Sequence, residues 1–381
     1  MKIVIAPDSF KGSLSAIEVC QFMKEGVLQA IPHANVTEMP MADGGEGTLE
    51  CLINGTNGTF FEEVVKGPLG QPVQAKWGIL GGGSKTAVIE MAQASGLTLI
   101  SKKERNPRRT NTYGTGQLIK CALDKGCTRI IIGLGGSATN DGGMGMAAAL
   151  GVRFYNKNGE SLPLGGITLA ELDVVDVDEL DPRVKNLEFI IASDVTNPLC
   201  GPTGASTIFG PQKGASSKDA KELDDALRNF AEKVHESVGK DILHIPGSGA
   251  AGGLGGGLIA FLNAKVSSGI EIIMNTLGFE EYIKDADLVL TGEGRTDEQT
   301  IYGKVPVGVA RVAKKYNVPA ICISGSLGEG TDQLYEQGIT AVFSIIDAPN
   351  SLEEIFSKTG SLLKSATSNV IRLVGLNERD R

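Results

Sequence analysis

KIVIAPDSFKGSLSAIEVCQFMKEGVLQAI, residues 2–31, decides the fold. Its first five residues form an apolar run of strand length, and Ile17, Val19, Cys20, Met23, Val27 and Ile31 then recur at helical spacing. Ser15 and Glu18 form an S-x-x-E capping box, so the helix should start near Ala16 and leave 7–14 as open loop. The reading is strand, loop, helix, the repeating unit of an open α/β sheet.

The same break from an apolar run into a glycine-rich, charged loop occurs four more times. VTEMPM runs into ADGGEGT (42–48), RIII into GLGGSATNDGGMG (133–145), EFIIA into SDVTNPLCG (193–201) and DLVL into TGEGRTDEQT (291–300). In open α/β sheets the carboxyl ends of strands form the ligand crevice, so these loops should gather acids, cations and bare backbone around a ligand.

Strand and helix alternate at both ends of the chain. Strands are expected at 2–6, 36–41, 287–290, 320–324 and 341–346, with helices at 47–53 and 305–315. Between them, 60–66, 73–79 and 86–91 are strands joined by the GPLGQ and GGGSK turns, which favours antiparallel pairing. A helix at 116–124, strands at 129–132, 152–155 and 188–192, and a long helix at 218–237 follow. We therefore expect an outer α/β domain built from 1–58 and 284–381, interrupted by a mixed α/β domain at 59–283. Its switch point should lie between PDSFKGS and TGEGRTD.

Composition narrows the function. A chain of 381 residues with 41% hydrophobic content can supply two cores. Against 45 acidic residues stand 36 Lys and Arg, and the net charge of −9 opposes binding to nucleic acid or to anionic lipid. The apolar run before Pro7 is too short for a signal peptide and no stretch is long enough to span a membrane, so a cytoplasmic protein is expected. The six cysteines show no CxxC spacing and read as reduced packing residues, and three scattered histidines leave little for a zinc site or a His-based triad. The 51 glycines follow no fibrous period and must serve loops.

Phosphoryl transfer needs cations on phosphates, carboxylates on Mg²⁺ and an acceptor for the hydroxyl proton. In PDSFKGS, Lys11 can reach an anionic oxygen and Asp8 stands at the strand end as base or metal ligand. Taken alone, that loop reads as an Asx-turn with a solvated lysine. Opposite TGEGRTD it reads as a site, because Glu293 and Arg295 join it, and Arg295 suits bidentate pairing with a carboxylate or phosphate. Asp43 is a further catalytic candidate and equally a helix N-cap. Gly135, Gly136, Ser137, Thr139 and Asn140 precede a helix and could cradle a nucleotide's phosphates, unless Asn140 or Asp141 merely caps it. Asp194 and Asp297 are the candidate Mg²⁺ ligands, the bland alternative for Asp194 being a turn before Pro198.

Gly133, Gly135 and Ala138 match G-x-G-x-x-A, but no acid closes the following strand at Tyr155 and Asn156, which disfavours a dinucleotide site. There is also no G-x-x-x-x-G-K-[ST].

The chain resembles the bacterial glycerate kinase family from residue 1 to about 373. The likeness rests on MKIVIAPDSFKGSLSA, DGGEGT, KTAVIEMAQASGL, RNP, GTGQLI, GLGGSATNDGG, DVTNPLCGPTGA, FGPQKGA, SGIE, GEGRTD, GKVPVGVA and AVFSI. The resemblance implies a flavodoxin-like (Rossmann-like) parallel-sheet domain interrupted by a restriction-enzyme-like one. It further implies ATP- and Mg²⁺-dependent phosphorylation of D-glycerate, usually to 2-phosphoglycerate. An NAD(P)-linked hydroxy-acid dehydrogenase and a non-catalytic small-acid sensor are the alternatives. Residues 377–381 are expected to form a frayed charged tail.

Overall fold

A computed structural model describes residues 1–349 and 351–375, so the tail at 377–381 lies outside the described residues. The chain forms two compact units. The first comprises Met1–Asp43, Glu50–Thr56 and everything described from Ser268 onward; the second comprises Gly44–Leu49 and Asn57–Ser267.

In the first unit five parallel strands lie in the order Ile339–Ser344, Ala320–Ser324, Leu288–Thr291, Lys2–Ile5, Asn35–Glu38. This is flavodoxin-like order, and it reverses between Lys2–Ile5 and Leu288–Thr291, where Ile3 pairs with Leu288 and Ile5 with Leu290. Helix Ala16–Ala30 begins at the expected capping box, with Ser15 accepting the Glu18 N–H and Glu18 accepting the Ser15 N–H. It turns Val19, Met23 and Val27 onto the sheet and meets helix Leu352–Val374 through Leu362, Leu363 and Ile371. The two helices approach at Gly26, where a Cβ would stand 2.6 Å from the Lys364 carbonyl oxygen.

The second unit holds a six-stranded mixed sheet in the order Lys265–Ser267, Glu188–Ala192, Arg129–Gly133, Thr86–Glu90, Pro72–Ile79, Thr59–Lys66. The first four strands run parallel and the last two pairings are antiparallel, as the short intervening turns require. Trp77, Ile89, Ile132 and Phe189 build its core with Leu227 and Phe230 of helix Ser217–Val238. The glycine-rich stretch 246–257 leads into helix Leu254–Leu262, all of whose residues are buried. Gly257 lies where a Cβ would sit 2.4 Å from the Gly142 carbonyl oxygen, so those glycines serve close packing.

The unit boundaries differ from the expected ones. Helices Gly269–Leu277 and Phe279–Ile283 group with the first unit, whereas the sequence reading starts that piece at 284. The contact that fixes them is Ile270, packed so closely on Gly308 of helix Val305–Lys315 that a Cβ there would stand 2.9 Å away.

Candidate active site

At the carboxyl ends of the first unit's strands, the Asp8 N–H donates to the Gly292 carbonyl at 2.8 Å, tying the 7–13 loop to the 291–300 loop. Asp8 is only 3% exposed. Burial, reinforced by the charge of Asp43 and opposed by Lys11 and the Ser9 N–H, pushes its carboxyl up to about 7. The Ser9 N–H donates to Asp8 Oδ1 at 2.7 Å and Lys11 Nζ to Asp43 Oδ2 at 3.2 Å. Burial alone would lower the Lys11 ammonium, but Asp43, Asp8 and Glu293 outweigh it and leave it raised.

Glu293 is buried and held on three sides. Its Oε1 accepts Thr300 Oγ1 at 2.6 Å and Thr296 Oγ1 at 3.2 Å, and its Oε2 accepts Lys304 Nζ at 3.3 Å. Burial raises its pKa, and Thr300 and Lys304 work against that. Asp8, Lys11, Glu293, Arg295 and Lys304 line one cavity of about 410 Å³. The structure thus brings together four sequence candidates and adds Asp43 through Lys11.

Asp297 is differently employed. Its Oδ1 accepts the Gln299 N–H at 3.0 Å and its Oδ2 accepts Arg295 Nε at 3.1 Å, so it caps the turn Glu298–Tyr302 and steadies the exposed Arg295. Each oxygen thus already accepts one hydrogen bond within its own turn. Asp194, half-buried after strand Glu188–Ala192, belongs to the second unit. Among the described residues there is no group of three or more His, Cys, Asp or Glu able to hold a metal ion.

In the second unit only Gly135 and Gly136 of the 133–145 loop reach the surface; Ser137, Thr139 and Asn140 are buried. Asn140 Nδ2 donates to Ser206 Oγ at 2.9 Å, and the Thr139 carbonyl accepts Lys213 Nζ at 2.7 Å. The buried Asp141 carboxylate accepts the N–H groups of Thr112, Gly145 and Gly143 at 2.8, 3.1 and 3.3 Å. The Gly143 and Gly145 amides of this loop are therefore matched by an internal anion at the start of helix Met144–Ala149. Lys213, fully buried, is pushed down to about 7 by desolvation despite the nearby charge of Asp141. Glu90, at the end of strand Thr86–Glu90, accepts the Leu49 N–H at 2.9 Å and is pushed up to about 7 by burial.

A family model described as "Glycerate kinase family" matches residues 3–375. A glycerate kinase of Halalkalibacterium halodurans is 51% identical over 97% of both chains, and a glycerate 2-kinase of Escherichia coli K12 is 50% identical over the full length of both. A crystal structure of a putative glycerate kinase 2 from Salmonella typhimurium LT2 superposes with a TM-score of 0.88 at 45% identity, covering 100% of this chain and 99% of that one. The chain belongs to the glycerate kinase family.

It is an enzyme, a kinase, and the flavodoxin-like sheet carrying a mixed α/β insertion is confirmed as its fold class. Three residues of this kinase escape sequence reasoning. Lys304 pairs with Glu293 from eleven residues away, while the buried Glu90 and Lys213 brace loops through the Leu49 N–H and the Thr139 carbonyl. The GK dipeptide opening GKVPVGVA was a signal for Lys304; a glutamate ending the apolar run TAVI was one for Glu90.

Proposed function

We propose that this kinase transfers the γ-phosphoryl group of ATP to the 2-hydroxyl of D-glycerate with Mg²⁺ as the metal, in the cytoplasm. The observation that carries the reading is Asp8, a buried carboxylate poised near neutrality beside Lys11 at the switch point of a parallel sheet. A base whose pKa lies near the working pH takes a hydroxyl proton most effectively. As the hydroxyl oxygen bonds to the γ-phosphorus, its proton passes to the Asp8 carboxylate and the bond from that phosphorus to the β,γ-bridging oxygen breaks, leaving ADP.

Lys11 and Arg295 supply cations for the acid's carboxylate or the phosphates. Lys304 orients Glu293 and opposes the upward shift that burial gives it. The carboxylates fit a hard divalent cation: burial first, then the charge of Asp43 and least that of Glu293, raise Asp8, and an added cation relieves such crowding. Asp43 and Asp297 are our proposed ligands in this unit, and Asp194 stays a proposed one in the other. When bound, Mg²⁺ neutralises phosphate charge.

Clamping the acid's carboxylate beside the base selects the 2-hydroxyl over the sterically easier 3-hydroxyl. The name of the Escherichia coli relative, a glycerate 2-kinase, favours the same product. The test is incubation with Mg-ATP and D-glycerate without any mutase, followed by phosphorus NMR. ADP and 2-phosphoglycerate are expected, with turnover lost on chelation. A dominant 3-phosphoglycerate signal refutes the regiochemistry, and ATP-independent reduction of NAD(P)⁺ refutes the kinase chemistry.

A further inference from the structure

The cavity that holds Asp8 and Glu293 is two-faced. Beside its charged groups it is lined by Ile346, Leu352, Ile355 and Phe356. Leu352 is 72% exposed and Phe356 52%, although both belong to a helix whose later residues Leu362, Leu363 and Ile371 are packed in the core. Leu352, Ile355 and Phe356 fall at i, i+3 and i+4, so one face of the helix's first turn presents an apolar strip to the cavity; Ile355 packs on the first unit's core while Leu352 and Phe356 stay exposed.

Such exposed apolar area beside a charged pocket marks a ligand with the same division. D-Glycerate carries an oxygen on every carbon and offers no apolar face. A nucleoside triphosphate has both parts: a polyphosphate matched by Lys11, Arg295 and Lys304, and a flat base that gains by lying against an aromatic ring and branched aliphatic side chains. The alternative cradle, the 133–145 loop, has Ser137, Thr139 and Asn140 buried and its Gly143 and Gly145 amides taken by Asp141.

We infer that the cavity of the first unit is the nucleotide subsite, with the base held against Phe356, Leu352 and Ile346 and the phosphates directed toward the charged wall. This rests on the phosphotransfer reading above. The assignment moves the nucleotide from the 133–145 loop to the first unit and makes the start of helix Leu352–Val374 a determinant of affinity.

The experiment uses Phe356→Ala, Phe356→Trp and Leu352→Ser in the full chain. Binding of a ribose-labelled fluorescent ATP analogue is measured without D-glycerate, and the KM values for ATP and for D-glycerate are measured separately. Phe356→Ala should weaken analogue binding and raise the KM for ATP roughly tenfold, as expected for loss of one base-stacking contact. The KM for D-glycerate should stay, Phe356→Trp should retain binding, and Leu352→Ser should fall between. Unchanged analogue binding in Phe356→Ala and Leu352→Ser, or a rise confined to the KM for D-glycerate, overturns the subsite while leaving the kinase reading intact. Failure of the unaltered protein to bind the analogue or to turn over Mg-ATP with D-glycerate overturns both.

Discussion

Asp8 illustrates how far a single residue can be read before the fold is known. Its place after an apolar run, three residues from a lysine, marks it as a candidate, but its pKa near 7 depends on burial and on Asp43 and Glu293, which lie distant in sequence. Lys11, Glu293 and Arg295 were legible for the same reason: charges among glycines at strand ends have few purely structural uses. The loop around Thr139 and Asn140 is harder to read, because an amide-rich loop looks alike whether it faces a phosphate or an internal aspartate, and the bonds from the Gly143 and Gly145 amides to Asp141 leave no mark in the sequence. Because Asp8 must be ionised to accept a proton, kcat/KM should rise with pH along a limb centred near 7. Asp8→Asn should lower kcat by about 10²- to 10⁴-fold and abolish that limb, with the melting temperature not reduced. A near-normal pH profile in the variant would assign the base elsewhere.

Elements were legible where local signals agree. Helix Ala16–Ala30 follows from its capping box and apolar spacing, and the antiparallel strands follow from turns too short for a crossover. Helix Leu352–Val374 went unread, since the expectation stops at Ile346 although Ser351 and Glu354 form another capping box. Its Ser, Thr and Gly content weakens the apolar period, and the pairing with helix Ala16–Ala30 supplies what propensity does not. That pairing rests on close approach at Gly26. Gly26→Val should destabilise the fold by about 1–3 kcal/mol, because the added methyls meet the backbone at Lys364 rather than a side chain that can move. Urea denaturation measures it; a midpoint equal to that of the parent chain would show that the helices separate without cost.

For the whole molecule, sheet order and switch point could be inferred from alternating strands and helices, whereas the extent of each unit could not, because the grouping of Gly269–Ile283 is decided by packing on Gly308. Buried charge was likewise invisible in the sequence, and it sets how stability should vary with pH. Asp8 and Glu90 are both raised to about 7, mainly by desolvation. A carboxyl raised on folding favours the folded state fully below its unfolded pKa, near 4, and that contribution is lost as pH rises through about 7. Lys213, lowered to about 7, acts oppositely: its contribution is complete above its unfolded pKa, about 10.4, and is lost as pH falls toward 7. Near neutrality both costs are in force, so variants that keep the hydrogen bonds but remove the charge should reveal them. Asp8→Asn and Glu90→Gln should each raise the melting temperature relative to the parent at pH 8 more than at pH 5, by the equivalent of roughly 3 kcal/mol, since the folded carboxyl titrates about two pKa units above pH 5 at about 1.4 kcal/mol each. The two residues lie in different units, so their effects should add in the double variant. Melts of ligand-free protein at the two pH values decide the matter: a gain larger at pH 5 would mean that the carboxylates are stabilised by folding, and that their burial does not hold them near neutrality.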